Sequence, residues 1–367
     1  MKCRIAIAII LALGTIGCGS DSVTTPAPQP AAVRTYTGTA SVGDFFTVSL
    51  DPNAQTLTYT NHSNSDSGTV AYTANADGTY TLSDPNGNLL AAFEVPNYAL
   101  LIQAAKTGPN HNTLALVTAV QASQISPTTF DSHKYNYMQF RTSVGGVSIG
   151  SANIDAQTNI TTSEYWPYGA QNQQSPFNSS TFASANLLED PSGTFMTLTE
   201  NANQSDYIFG TRNGIFAVDS GSGAILGLQQ AATRAFDPTF AATYKTMYFH
   251  KGNASTGVGN VESGIPSMGI GSLVVDPAGN VTLLNDQGNV MAQGTLAAVA
   301  DTPYLFGPNE LADPCFGLFT FRLTTANTQQ DVFMTFLNQA VLFSSYKSVA
   351  SVGNNNMYNY FYGVALK

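Results

Sequence analysis

One short segment has the residue types and spacing of a serine nucleophile. Residues 146–150 read GVSIG, a G-x-S-x-G pattern centred on Ser148. In hydrolases this serine lies where a strand turns into a helix, and Asp and His partners follow it in the chain, as Asp219 and His250 do here. The next residues, SANIDAQTNITT, favour strand and turn instead of helix. We therefore interpret the segment as a small-residue strand and predict no catalytic residue.

The histidines and acidic turns give no metal-binding pattern. The chain has four histidines: His62, His111, His133 and His250. None is spaced H-x-H or H-x-x-H from another, and zinc needs three or four convergent ligands. The turns at 75–78, 84–88 and 219–223 carry oxygen side chains at alternate positions but stop short of a twelve-residue calcium loop that ends in glutamate. We predict no metal and no cofactor.

An aromatic cluster is a candidate for ligand binding. Residues 163–169 read SEYWPYG and contain the single tryptophan, Trp166, between Tyr165 and Tyr168. Aromatic rings supply contact area, and the side-chain amides of the following AQNQQSPFNSS supply directional hydrogen bonds. The segment therefore suits a sugar or peptide ligand. The alternative is an aromatic plug that closes one end of a β module.

Short strands must position these residues. Hairpin signals such as DPNGN (84–88), RNGI (212–215) and DPAGN (276–280) separate runs that alternate between apolar and polar residues or carry β-branched residues. No long stretch keeps the 3.6-residue period of a helix. The chain is therefore predicted to be all-β.

Three degenerate repeats organise these strands. Each unit opens with an aromatic strand: RTYTGTA (34–40), KYNYMQF (134–140) and KTMYFHK (245–251). The similar segments YIFG (207–210) and YLFG (304–307) follow in the second and third units. The units begin about 100–110 residues apart, which indicates duplication. The C-terminal MYNYFYGVALK resembles an opening strand and could close a barrel or pair with a neighbouring sheet.

The length of each unit favours a barrel or sandwich. About 100 residues with about eight short strands fit one small antiparallel module of either kind. We predict three such modules, at residues 34–130, 131–240 and 241–367. The same length equals two blades of ~40–50 residues, so a six- or seven-bladed β-propeller is the alternative.

The hairpin loop that follows the aligned strands differs in length between the units. It reads TRN (211–213) in the second unit, PNELADPCF (308–316) in the third and QAAKTGPNHNT (103–113) in the first. Loops that lengthen on a fixed scaffold often carry function. Four loop residues are therefore candidate site residues: His111, Glu310, Asp313 and Cys315. The alternatives are neutral insertion and, for Cys315, a small buried filler.

The N-terminal residues indicate export and lipidation. A cationic start precedes an apolar run at residues 5–16, which is too short for a spanning helix and fits a secretory signal. Gly17 and Cys18 follow, and the segment resembles the lipobox of bacterial lipoproteins, although Thr15 stands where that family usually has Leu. The resemblance implies a signal peptide at 1–17 and a diacylglycerol on Cys18. Ordinary signal cleavage nearby is the alternative.

Residues 18–33 form a predicted disordered tether. They are rich in Pro, Ser, Thr and Ala, with almost no large apolar residue to pack. Lipoproteins with Asp after the lipidated cysteine tend to stay at the inner membrane, so Gly19 implies anchoring to the outer membrane. The rest of the chain resembles uncharacterised proteobacterial lipoproteins with a domain of unknown function, a resemblance that implies no activity.

The charge argues against nucleic acid as a partner. The formal net charge is −10, and removing Lys2 and Arg4 with the signal takes two positive charges away, giving −12. A nucleic-acid-binding face must be basic. Apolar residues make up 43% of the chain, which is ample for a core.

We favour an envelope lipoprotein that displays a β scaffold for binding or adhesion, with a carbohydrate or protein ligand. One alternative is a hydrolase acting on envelope polysaccharide or peptide, because the 23 carboxylates could include a glycosidase pair. Another is a structural or assembly partner of an outer-membrane complex. A cleft with two facing carboxylates, or one with a raised pKa, would favour the hydrolase. A smooth body with an aromatic patch would favour binding.

Overall fold

Strands account for nearly all regular structure in the computed structural model of this protein. The residues described are 31–83, 89–105, 114–130, 133–140, 148–154, 160–165, 177–182, 187–201, 204–221, 223–251, 266–299, 315–324, 329–347 and 360–367. Within these ranges the regular elements are 26 β-strands and two short 3-10 helices, Pro127–Phe130 and Pro238–Phe240. None of the helices found there is long and apolar enough to cross a membrane. The all-β prediction is confirmed.

The first module, called the first barrel below, is a closed antiparallel barrel of eight strands. The strands are β1 (Arg34–Ala40), β2 (Phe45–Asp51), β3 (Thr56–Asn61), β4 (Asp66–Ala74), β5 (Thr79–Ser83), β6 (Leu89–Val95), β7 (Ala99–Ala105) and β8 (Leu114–Gln121). Each strand pairs with the next, and β1 also pairs with β8, with Thr37 opposite Val120. Closure means that none of the eight described strands is an edge strand.

The second module is a sheet of nine antiparallel strands. The strands are β9 (His133–Phe140), β10 (Ser148–Ile154), β11 (Ile160–Tyr165), β12 (Phe177–Phe182), β13 (Leu187–Glu189), β14 (Met196–Asn201), β15 (Gln204–Thr211), β16 (Ile215–Asp219) and β17 (Ala224–Gln229). The first strand, β9, pairs with the last, β17, so that both lie in the middle of the sheet.

The third module is also a nine-stranded antiparallel sheet. Its strands are β18 (Ala242–Lys251), β19 (Pro266–Val275), β20 (Asn280–Leu284), β21 (Val290–Thr295), β22 (Ala297–Ala298), β23 (Leu318–Thr324), β24 (Gln329–Leu337), β25 (Ala340–Lys347) and β26 (Tyr360–Leu366). The C-terminal strand β26 pairs with β18 and β25 of its own module.

The three modules share one connectivity. Consecutive strands pair as a meander, and the first strand of each module pairs with the last. Among the described strands of the two nine-stranded sheets, the ladder is interrupted between the fourth and fifth strands, at β12–β13 and β21–β22. A propeller blade has four strands, whereas these sheets have eight or nine. The prediction of antiparallel barrel or sandwich modules is confirmed in its barrel form, and the propeller alternative is wrong.

The turn signals act as the sequence predicts. In DPAGN, the Asp276 carboxylate accepts hydrogen bonds from the backbone N–H groups of Ala278 and Asn280, at 2.9 and 2.8 Å. Gly279 has φ +81°, a conformation that glycine adopts without steric conflict. The chain therefore reverses between β19 and β20 within a few residues.

Three clusters of buried side chains form the core. One fills part of the lumen of the first barrel, one packs on one face of the sheet of the third module, and one joins these two modules to the second. Phe45 stacks on Tyr207 of the second module, with ring centroids 4.5 Å apart. Tyr362 lies 4.6 Å from Phe140 and 5.0 Å from Phe249, joining the second and third modules. Residues from Ala32 to Lys367 therefore form one compact unit.

Candidate ligand-binding cavity

The lumen of the first barrel contains a cavity of about 450 Å³. Alternate residues of each strand point into a barrel, so a single strand contributes several lining side chains. On β3 these are Leu57, Tyr59 and Asn61. Much of the remaining wall is aliphatic: Val48, Leu82, Ile102 and Val117. The volume lies in the range of ~300–1,000 Å³ that is usual for small-molecule pockets.

The cavity exists because small side chains line part of the barrel. Ala40, Ala104 and Ala115 contribute little volume to the lumen. The third module shares the connectivity, but the cluster packed on one face of its sheet contains large rings, among them Phe319 and Phe343. An eight-stranded barrel is just wide enough either to be filled by its own side chains or to hold one small ligand. The first barrel is of the second kind.

The cavity opens at one end of the barrel. The connections β1–β2 and β3–β4 lie at this end and supply its polar lining, which includes Asp44 and Asn64. Asn64 and Asp66 line the cavity and are also exposed to solvent, so the cavity reaches the surface here. We call this end, with Asp44, Asn61, Asn64 and Asp66, the mouth.

The mouth combines acceptor and donor groups. The Tyr59 hydroxyl donates to Asp66 Oδ2 at 3.3 Å. Burial of the ring, followed by the charge and hydrogen bond of Asp66, raises the pKa of Tyr59. Asn61 is 3% exposed, and its carboxamide oxygen accepts the backbone N–H of Ser63 at 3.0 Å.

A buried carboxylate closes the opposite end of the lumen. The Glu94 side chain is fully buried, and Arg34 binds it with two hydrogen bonds, Nε to Oε1 at 2.6 Å and Nη2 to Oε2 at 2.7 Å. The hydroxyl of Tyr80 donates to Oε2 at 2.9 Å, and that of Tyr36 donates to Oε1. Four donor contacts therefore satisfy one carboxylate in a site closed to water.

We call Arg34, Tyr36, Tyr80 and Glu94 the Glu94 cluster. Burial and the Glu94 carboxylate shift the pKa values of the other three groups. The hydrogen bond to Glu94 raises the pKa of Arg34 further above its usual value. Burial, and then the Glu94 carboxylate, raise the pKa of Tyr80 to about 12 and raise that of Tyr36 as well. Arg34 therefore stays charged and the two tyrosines stay protonated at neutral pH, so the hydrogen bonds to Glu94 make the cluster a rigid floor of the lumen.

The predicted aromatic site lies mostly outside the described residues. Tyr165 is the last residue of β11, and its backbone pairs with Ile149 and Phe177. Trp166 and Tyr168 lie outside the described part of the chain. The role of this segment in binding stays a prediction.

Of the four predicted loop residues, Cys315 lies in the described part of the chain. His111, Glu310 and Asp313 lie outside the described residues. Cys315 is 2% exposed and packs in the core that joins the modules. A hydrogen bond fixes the neighbouring backbone: the Asn136 carboxamide nitrogen donates to the carbonyl oxygen of Phe316 at 2.8 Å. Cys315 thus contributes to packing at the junction with the second module.

The three residues of the serine-type pattern lie on three different strands, β10, β16 and β18. Ser148 is the first residue of β10, which continues as strand to Ile154, so it does not lie at a strand-to-helix turn. His250 is 8% exposed in β18, and burial lowers its pKa. Asp219 is 1% exposed at the end of β16. In the described ranges no three His, Cys, Asp or Glu side chains lie close enough together to hold a metal ion.

Asp219 lies where the first barrel meets the second module. The hydroxyl of Thr39, on the outer face of β1, donates to its Oδ1 at 3.0 Å. Burial raises the pKa of Asp219 to about 7, while Thr39 opposes the shift and the nearby carboxylates of Asp44 and Asp206 add to it. This carboxyl group serves the junction between modules and does not line the cavity.

Sequence reasoning missed both the cavity and the Glu94 cluster. The available signal for the cluster was a charged residue in an otherwise apolar strand, Glu94 in LLAAFEV, together with Arg34 and Tyr36 on one face of RTYTGTA. The cavity had no comparable signal, because its wall uses the same aliphatic residues as a filled core.

No protein-family model matches the sequence, and no curated protein is significantly similar to it. Solved structures align along the chain at low similarity. Two mutants of the vaccine antigen transferrin binding protein B from Haemophilus parasuis cover 92% of this chain and 76% of their own, with 8% and 9% identity and TM-scores of 0.23 and 0.22. A luciferin-regenerating enzyme covers 91% of this chain and 94% of its own, with 10% identity and a TM-score of 0.15. These TM-scores support no argument, so function rests on the site itself.

Proposed function

We propose that this protein is an envelope lipoprotein whose first barrel binds one small, largely apolar molecule. The observation that carries the proposal is the open cavity of about 450 Å³ in the lumen of a closed barrel. An aliphatic wall with a few polar groups at the opening is the usual composition of a small-molecule site. The Glu94 cluster supports the proposal, because a rigid floor keeps the cavity shape without a ligand and lowers the free energy of ordering on binding.

The binding test uses a neutral apolar fluorophore, N-phenyl-1-naphthylamine, with the full mature protein. The fluorophore should bind with its emission shifted to the blue, because the ring leaves water for an aliphatic wall. Val70→Trp places a large ring in the lumen and should weaken binding about tenfold or more, the equivalent of ~1.4 kcal/mol. Val70 lines the cavity on β4.

Thr69→Trp is the matched control. Thr69 precedes Val70 on the same strand and is exposed on the opposite face, where its hydroxyl lies 3.0 Å from that of Thr58. The same ring added there should leave the affinity unchanged. Circular dichroism checks that both variants fold. A wild-type protein that does not bind the fluorophore, or equal binding by the two variants, would contradict the proposal.

Binding has more support than hydrolysis. Burial raises the pKa of two carboxyl groups in the described residues, Asp219 and Asp331, and neither of them lines the cavity. The assembly-partner alternative would need a large exposed apolar patch. The exposed large apolar side chains in the described ranges are spread over three modules: Val33, Leu89, Leu188, Val274 and Val290. A carbohydrate or protein ligand at Tyr165, Trp166 and Tyr168 stays a separate prediction.

We also propose that the barrel is tethered to the outer membrane through a lipid on Cys18 and the spacer at 18–33. Cys18→Ser should abolish incorporation of labelled palmitate and move the protein from the membrane fraction to the soluble fraction. Cys3→Ser, which changes the other N-terminal cysteine, is the control and should leave both properties intact. A Cys18→Ser protein that stays in the membrane fraction would show that the lipobox interpretation is wrong.

A further inference from the structure

We propose that the ligand of the first barrel is a cationic amphiphile, with its apolar chain in the lumen and its positive headgroup at the mouth. This inference rests on the proposed binding function and names the chemical class of the ligand. Among the described residues that line the cavity, the charged ones are Asp44 and Asp66, and none is Lys, Arg or His. The lumen is therefore apolar along its wall and negative at its opening.

The two carboxylates flank a buried amide. Asn61 ends β3, with Asp66 directly opposite it on β4 and Phe46 opposite it on β2. Asp44 lies two residues before Phe46 in the adjoining β1–β2 connection. Leu57, Tyr59 and Asn61 thus run from the wall to the mouth on one face of one strand.

The amide between the carboxylates adds hydrogen-bonding capacity at the mouth. Asn61 lines the cavity, and its carboxamide oxygen accepts the backbone N–H of Ser63 at 3.0 Å. The carboxamide nitrogen is a hydrogen-bond donor. A ligand oxygen next to the headgroup, such as a hydroxyl or carbonyl, would accept from it.

An anionic amphiphile fits this cavity poorly. Its headgroup would lie against Asp44 and Asp66 at the mouth, and like charges repel. At the opposite end, the Arg34 guanidinium is already paired with Glu94 through two hydrogen bonds. Neither end therefore offers a cation to a carboxylate or sulfate headgroup within the described lining.

The test is displacement of bound N-phenyl-1-naphthylamine by three ligands that share one ten-carbon chain: decyltrimethylammonium, decanol and decanoate. All three are used below their micelle concentrations. The cation should displace the fluorophore at a concentration about tenfold lower than decanoate does, with decanol between them. Because the carboxylates at the mouth are partly solvated, the preference should shrink at 0.5 M salt.

The variants locate this preference at the mouth. Asp44→Asn and Asp66→Asn together should reduce the ratio between cation and decanoate to about two or less, while displacement by decanol stays unchanged. Asp77→Asn is the control: it removes one exposed charge from the β4–β5 connection, at the closed end of the barrel, and should keep the ratio.

The outcomes separate this inference from the proposed function. Equal displacement by decanoate and the cation, or an unchanged ratio in the double variant, would overturn the cationic class while the cavity still binds decanol. Failure of all three ligands and of the fluorophore would overturn the binding function itself.

Discussion

Glu94→Gln should lower the free energy of unfolding by about 3–5 kcal/mol, the range for removing one partner of a buried ion pair. The Glu94 side chain has no exposure to solvent and that of Arg34 has 17%. Glutamine fills the same space, so the loss comes from charge and not from volume. Arg34 would keep its positive charge without the carboxylate that offsets its desolvation. Urea denaturation of the full mature protein at pH 7 measures the change.

An exposed ion pair is the control for this prediction. Lys245 and Asp77 lie 3.6 Å apart, and the Asp77 side chain is 63% exposed. Asp77→Asn should change stability by less than about 1 kcal/mol, because solvent screens the pair. The double change Glu94→Gln with Arg34→Met should recover part of the loss, since no uncompensated charge remains. A loss below about 1 kcal/mol for Glu94→Gln alone would contradict a structural role for the cluster.

Asp219 should make the protein less stable as the pH rises from about 4 to about 7. Burial raises the pKa of the folded carboxyl to about 7, whereas the unfolded chain has its ordinary value of 3.8. Between these values the unfolded state loses its proton while the folded state keeps it, so stability is full below about pH 4 and falls as the pH rises. A difference of about three pKa units corresponds to about 4 kcal/mol.

Asp219→Asn tests the pH dependence directly. The amide removes the titrating group and still accepts the hydrogen bond of Thr39, so the variant should be more stable than the wild type at pH 8 and should lose most of the slope between pH 5 and 8. Thermal melts at several pH values measure both effects. Asp276→Asn is the control: hydrogen bonds from Asn280 hold the pKa of Asp276 below its usual range, so this variant should keep the wild-type slope. Parallel pH profiles for Asp219→Asn and the wild type would show that Asp219 does not control this dependence.

The fold class could be predicted because strand and turn signals act locally. The alternation of β3 and the DPAGN turn each depend on residues within one hairpin. Aromatic strands at both ends of the third unit suggested closure by the last strand, and β26 does pair with β18. Barrel, sandwich and propeller could not be separated at that stage, since all three use the same hairpins and differ in which distant strands pair.

The candidate site was harder to predict, because its residues are common types brought together over long separations. Arg34 and Glu94 are 60 residues apart, and Thr39 and Asp219 are 180 apart. Trp166 and the longer loops were singled out as unusual features of the sequence, whereas Val48 and Ala115 look like any core residues. These cavity-lining residues differ from the residues of a filled core only in the empty volume that their neighbours leave beside them.

Alternation, turn residues and composition were therefore sufficient for an all-β, acidic chain of repeated antiparallel modules, because each acts through the local backbone or through the sum of the residues. Whether a lumen is filled or empty depends on how side chains from eight strands meet after β1 pairs with β8. The negative mouth, the Glu94 cluster and the buried Asp219 likewise exist only after closure and docking, since each needs partners from separate strands to exclude water. The site therefore depends on the tertiary structure, because burial and the distances between charged groups are set by three-dimensional packing and not by the order of residues in the sequence.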